Sequence, residues 1–212
     1  MVFILTMKKI AFTFDDGPHT HFTPLILDIL KTYNISATFF VQGIMLEKNH
    51  DLIERMINEG HEIGNHTWNH YKLTDISDTQ KVKEEIISVS DYLLKNFNYK
   101  PIYARPPYGW TDKNIQNIYK ENNLKTIAWN IDSKDWTGIN FIDIAYNILS
   151  EITDDCIILM HDLNGRQLKT DKSNTIKTLE ILIPRLMEMG FQIVKISDLK
   201  NPIEILPKFI NK

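Results

Sequence analysis

Only one cysteine, Cys156, occurs among the 212 residues, which excludes an internal disulfide and a thiolate metal cluster. It lies in the apolar run CIILM, where a buried, inert thiol is expected. Long hydrophobic runs are also missing. The opening MVFILTMKK offers an apolar stretch of about five residues with its lysines after it, which fits neither a secretory leader nor a membrane anchor. As it stands, the chain is expected in the cytoplasm and off the membrane; a chain trimmed of its leader would read identically, which keeps an extracellular compartment open. Neither sign of charge dominates, with 24 lysines and arginines against 27 aspartates and glutamates. A formal net charge of −3 gives no electrostatic reason to bind nucleic acid or an anionic lipid surface. The Asn-x-Ser/Thr triplets at Asn34 and Asn65 carry meaning only in a secreted chain.

The composition itself is that of an ordinary globular chain, 43% hydrophobic and 24% charged. The length suits one domain spanning residues 1–212. Seven short β-rich runs stand out: KKIAFTF (8–14), SATFFVQ (36–42), HEIGNH (61–66), PIYARP (101–106), LKTIAWN (124–130), CIILMH (156–161) and FQIVKIS (191–197). Between most of them lie segments with helical periodicity, the pattern of a parallel sheet joined by crossover helices. Expected helix starts are Thr23 with Pro24 behind it, Asn49 or Asp51, Ser77 with Gln80 as a capping box, Thr111, Asn140 and Thr175. Gly60 and Gly190 are expected helix ends, and Pro184 a break or kink.

This alternation leaves two α/β architectures, a distorted (β/α) barrel and an open doubly wound sheet. In both, chemistry collects at the carboxyl ends of the strands. The polar residues that follow apolar runs obey that rule: Asp15 and Asp16 after IAFTF, His66 after EIGN, Arg105 after PIYA, Asp132 after TIAWN, His161 after CIILM. HTWNH puts His66 and His70 four residues apart, so that on a helical turn both imidazoles share one face and one metal. Histidines at that spacing on a solvated face are also common. Thr67 stands where a zincin-type HExxH would carry its glutamate, so a base must come from elsewhere. TFDDGP supplies two carboxylates that point different ways from an extended segment; one can ligate a cation while the other takes a proton, and the cation offsets their repulsion. A capped turn is the plainer reading of DDGP.

TFDDGP, HTWNH, RPPYG, DSKDW and ILMH, in this order between Thr13 and His161, resemble the five motifs of the polysaccharide deacetylase family, also called NodB-homology or carbohydrate esterase family 4. The resemblance implies a distorted (β/α) barrel of about seven strands and hydrolysis of acetyl groups on sugars. It further implies a divalent metal held by one aspartate and two histidines, with Zn²⁺ the first expectation and Co²⁺ or another divalent ion the alternative. By position, Asp16, His66 and His70 match the metal ligands and Asp15 the catalytic base. Arg105 matches the arginine that orients this base, giving the carboxylate a counter-charge and an aim. Pro106 and Pro107 lack amide hydrogens and hold the chain extended, so the first free N–H belongs to Tyr108, which matches the oxyanion donor and borders the substrate. His161 matches the general acid. Asp135 matches its carboxylate partner, which favours the protonated imidazole. Asp132 is expected to buttress the same loop. Trp136 and Leu159 correspond to the lining of the acetyl-methyl pocket, whereas Trp129, Phe39 and Phe40 read as core, and Trp68 and Trp110 as core or sugar-stacking surface.

The expected partner is an acetylated carbohydrate of chitin or peptidoglycan type, with no nucleic acid and no membrane. Three rival readings remain: an acetylxylan-type O-acetyl esterase, a carbohydrate-binding module without turnover, and an amidohydrolase of small nitrogenous metabolites. Composition fixes neither the oligomeric state nor the saccharide's chain length and linkage.

Overall fold

The computed structural model describes residues 8–205. The expectation drawn from the apolar opening falls mostly on residues 1–7, outside them. The strands are β1 (Lys8–Asp15), β2 (Thr38–Val41), β3 (Glu62–Asn65), β4 (Tyr103–Ala104), β5 (Lys125–Thr126), β6 (Ile131–Asp132), β7 (Cys156–His161) and β8 (Phe191–Val194). Seven of them follow the order β5-β4-β3-β2-β1-β7-β6, every pair parallel, and β8 joins the same sheet through β1. Among the described residues no ladder joins β5 to β6, so the sheet curls into a barrel with one open seam. This is the distorted (β/α) barrel expected.

β1 is the hub because both its edges are used. One edge pairs with β7 over Ile10–Asp15; the other pairs with β8 over Lys8–Ala11 and then with β2 over Thr13–Asp15. Strand alternation sorts its side chains. Ile10, Phe12 and Phe14 join the large cluster under the helices, while Ala11 packs with Phe40, Ile157 and Val194 on the inner face. Thr13 and Asp15 therefore point inward. By the same period Leu159 and His161 of β7 point inward, and Ile158 and Met160 outward.

The helices are α1 (Phe22–Thr32), α2 (Gly43–Leu46), α3 (His50–Asn58), α4 (Thr79–Phe97), α5 (Lys113–Glu121), α6 (Phe141–Glu151) and α7 (Ser173–Glu188). Asn140 caps α6 as expected, its side chain accepting from Ile142 and Asp143 N–H. Four starts differ. Helix α7 begins at Ser173, two residues before the expected Thr175. Asp78 caps α4 in place of Ser77, Asp112 caps α5 in place of Thr111, and Thr23 lies inside the first turn of α1, its hydroxyl drawn away to Asp162. Helix α7 runs continuously through Pro184. Among the described residues no helix is long and apolar enough to cross a membrane.

LKTIAWN is not one strand. Only Lys125–Thr126 pairs with β4; residues 127–130 then carry the chain across the seam to β6 on the opposite edge. The apolar run cannot signal this, because a crossing segment inside a barrel needs the same residues as a buried strand. Asn65, which opens one of the two Asn-x-Ser/Thr triplets, is fully buried and donates to Ile86 O and Ser90 Oγ.

Gly64 on the inner face of β3 has no space for a side chain: a Cβ there would sit 2.4 Å from Phe40 Cδ1. The Phe40 ring in turn lies against the Arg105 guanidinium, its centroid 4.2 Å from Cζ. Gly64→Ala should therefore destabilise the fold by about 1–3 kcal/mol through overpacking, read as a lower denaturant midpoint with an unchanged slope.

Candidate active site

The inward residues at the carboxyl ends of β1, β3, β4 and β7 meet in a cavity of about 770 Å³. Asp15, Asp16, His66, His70, Tyr108, Trp136, Leu159 and His161 line it, as do Trp129, Asp132 and the 164–167 loop. Arg105 and Asp135 lie behind the wall, fully buried or nearly so.

Both aspartates reach the cavity, by different means. Asp15 points inward by strand alternation. Asp16, one residue on, would face the helices, but its backbone turns to φ 81° and returns the side chain to the cavity. Its carboxylate is fixed from behind: Gly165 N–H donates to Oδ2 at 2.6 Å and Gln42 Nε2 to Oδ1 at 3.3 Å. Gly17 leaves room for this turn, since a Cβ there would collide with the Asp162 carboxylate.

His66 and His70 are not on a helical turn. His66 follows β3, and a loop with Thr67 at φ 66° and His70 at φ 56° folds back to bring the second ring beside the first, centroids 4.9 Å apart. Such backbone needs support, and Glu85 of α4 supplies it. Buried Glu85 accepts from Asn69 N–H at 2.7 Å and Asn69 Nδ2 at 2.6 Å, while its carbonyl accepts from Trp68 N–H. His66 Nδ1 lies 2.6 Å from Arg105 O, an acceptor, so it carries the proton and Nε2 faces the cavity.

Asp16, His66 and His70 thus form a buried cluster whose ligand atoms lie within 4.8 Å of one another. Asp16 Oδ1 is 3.3 Å from His66 Nε2 and 2.9 Å from His70 Nε2. Carboxylate and imidazole atoms converging at these distances require a positive charge between them, a proton or a metal ion, and one oxygen with two nitrogen donors suits a borderline divalent ion. Burial pushes the Asp16 carboxyl up, but hydrogen bonds from both histidines hold it well below the usual range. Burial lowers His66, and the Asp15 charge with the Asp16 hydrogen bond outweighs this and raises it.

Arg105 holds the other aspartate. Its Nη1 donates to Asp15 Oδ1 at 2.7 Å and to Thr13 Oγ1 at 2.8 Å; Nε and Nη2 donate to the Ile127 and Ala128 carbonyls of the crossing segment. Asp15 Oδ2 is left toward the cavity, 3.8 Å from His66 Nε2. Across the site, His161 Nδ1 is 2.7 Å from Asp135 Oδ1, and His161 N–H donates to Oδ2 at 2.9 Å. Burial disfavours the His161 imidazolium, but the Asp135 charge and hydrogen bond raise its pKa above the ordinary value. Asp132 Oδ1 accepts from Lys134 N–H, at the start of the turn that carries Asp135.

The Pro-Pro reading holds for Pro106 alone, which is extended; Pro107 opens a single 3₁₀ turn. Tyr108 then adopts φ 61°, and the turn's backbone bonds run from Gly109 to Pro106 O and from Trp110 to Pro107 O, leaving the Tyr108 N–H outside them. Its ring stands edge-on to His70 at 4.9 Å. Trp129, expected in the core, lines the cavity beside Arg105. Gln42, Glu85, Asp162, Gly165 and Lys172 carried no sequence signal, because each acts through a partner more than fifteen residues away.

The family model described as Polysaccharide deacetylase matches residues 5–127. The chain is 37% identical over 194 residues to the peptidoglycan-N-acetylglucosamine deacetylase PgdA of Listeria monocytogenes, covering 92% of this chain and 39% of that longer protein. It is 33% identical over 194 residues to a chitooligosaccharide deacetylase of Bradyrhizobium, covering 88% of each. The solved structure of peptidoglycan deacetylase PdaC from Bacillus subtilis matches with a TM-score of 0.82 and 32% identity, over 92% of this chain and 91% of that one.

Two outcomes follow from the charges. Metal must displace the proton that the Asp15 and Asp16 charges favour on His66, so affinity for Zn²⁺ or Co²⁺ should rise with pH, by up to about tenfold per pH unit for each proton displaced. Calorimetry in buffers of different ionisation enthalpy should register the released protons; a pH-independent affinity would contradict this. Asp162 is buried with Oδ1 unpartnered, and burial raises its carboxyl to about 7. A raised carboxyl stabilises the fold below its unfolded pKa and loses that contribution as pH climbs through the folded one. In chelator-treated protein, wild type should therefore lose stability between pH 4 and 7 relative to Asp162→Asn, by on the order of 4 kcal/mol.

Proposed function

The chain belongs to the polysaccharide deacetylase family, and we propose that it is a metal-dependent hydrolase removing N-acetyl groups from N-acetylglucosamine units of peptidoglycan-type or chitin-type chains, with release of acetate. The observation that carries this reading is a register pair. Asp15 and His161 are neighbours across β1 and β7, at the ends of adjacent strands, yet they have opposite partners. Asp15 faces a buried guanidinium and His161 a buried carboxylate. A base and an acid need those environments, in that assignment.

The division of labour follows. Asp16, His66 and His70 would hold the ion, with Zn²⁺ favoured by the mixed oxygen and nitrogen donors; when bound, it supplies Lewis acidity toward the acetamide carbonyl. Asp15, clamped at Oδ1 by Arg105, accepts a proton from the attacking water at Oδ2. The Tyr108 N–H donates to the oxygen that gains charge as the carbonyl carbon becomes tetrahedral. Leu159, nearly buried, and Trp136, half exposed, flank the acetyl methyl. His161, kept protonated by Asp135, gives its proton to the departing nitrogen, leaving a free amine on the sugar.

Acetate release from chitooligosaccharide, peptidoglycan and acetylxylan is the test. The N-acetylated chains should turn over, and chelation or Asp15→Asn should each lower the rate by at least about 10²–10⁴-fold. Turnover of acetylxylan alone would move the reading to an ester hydrolase, and activity retained in Asp15→Asn would overturn the mechanism.

A further inference from the structure

Among the described residues, Arg105 and Lys172 are the buried lysine and arginine side chains. Arg105 is accounted for by Asp15. Lys172 stands in the polar segment LNGRQLKTDKSN, where a lysine is expected in water. Instead it is 1% exposed, and its Nζ lies 3.4 Å from Asp135 Oδ2, with both side chains fully buried. An ammonium is desolvated at such cost only where a paired charge compensates it.

The two oxygens of Asp135 do different things. Oδ1 takes the His161 Nδ1–H at 2.7 Å and, from its own turn, the Ser133 hydroxyl at 3.2 Å. Oδ2 is held by Lys172 and by Thr175 Oγ1 at 2.9 Å, both at the start of α7, in addition to the His161 backbone N–H. The carboxylate cannot rotate without breaking all three of these bonds. We propose that Lys172 is a positioning residue for the proton donor: together with Thr175 it locks the rear oxygen of Asp135, which keeps the front oxygen aligned on His161 and the opposite edge of the imidazole toward the cavity. The proposal rests on the reading of His161 as the acid. It makes α7, through two residues that never touch substrate, part of the acid's mounting.

The charges that face His161 are Asp135 on its turn, Asp15 and Asp16 from the end of β1, and Lys172 from the residue before α7. Lys172 is the member of like sign. Its removal should loosen the ring and at the same time let His161 keep its proton to higher pH.

In metal-loaded protein, Lys172→Met should lower kcat at least tenfold with little change in KM. It should also move the alkaline limb of the kcat profile upward by about 0.5–1 pH unit, and Lys172→Arg should restore both. Thr175→Val removes a bond to the same oxygen without removing a charge, so kcat should fall while the limb stays in place. NMR titration of ¹³C-labelled His161 reads the coupling independently of turnover. If His161→Asn abolishes activity while Lys172→Met leaves both kcat and the His161 titration at wild-type values, the proposal is overturned and the function stands. If His161→Asn stays active, the acid assignment fails instead, and a His161 titration unmoved by Lys172→Met would then overturn the coupling as well. Should Lys172→Met not fold, a wild-type kcat in Thr175→Val would overturn the lock.

Discussion

The buried guanidinium of Arg105 is the constraint on which the site depends. It sits inside a barrel whose sheet does not close, and its donors tie the central strand to the segment that crosses the seam: Thr13 and Asp15 on β1, and the Ile127 and Ala128 carbonyls. Phe40 and Trp129 lie against it, with ring centroids 4.2 and 5.4 Å from Cζ. A single planar cation thereby anchors the crossing segment and aims a carboxylate at the same time. Truncating it would leave Asp15 buried without its counter-charge, a loss on the order of 3–5 kcal/mol, so its removal damages fold and chemistry together.

The arrangement has a second, weaker counterpart. Lys172 stands behind Asp135 as Arg105 stands behind Asp15, but with a longer contact and with hydroxyl and amide donors sharing the load. Parallel strands explain why both systems fit in one cavity. β1 and β7 end together, so one inward position on each strand delivers Asp15 and His161 side by side. The cations come from outside the β1–β7 pair, Arg105 from the chain just after β4 and Lys172 from the residue before α7.

Much of this was legible in the sequence. The strands could be read because both faces of the sheet are covered, one by helices and one by the barrel's own interior, which leaves near-continuous apolar runs. The motif residues could be read because each lies just past such a run. What could not be read were events set by backbone conformation and distant contact. The approach of His66 and His70 comes from two residues at positive φ, where a helical turn would be inferred from spacing. LKTIAWN has strand composition yet mostly bridges the seam. Lys172 and Asp162 have ordinary neighbours in sequence and acquire meaning only from partners across the fold.

The grip of α4 on the histidine loop has a consequence of its own. Glu85, on the buried face of a nineteen-residue helix packed outside the barrel, holds the loop between the two imidazoles, and the same helix holds Asn65 at the loop's root. The ion site therefore borrows its rigidity from an outlying element rather than from the sheet beneath it. A substitution that frees the loop from Glu85 would be felt as a leak of the ion, while the apolar face of α4 stays seated on the core.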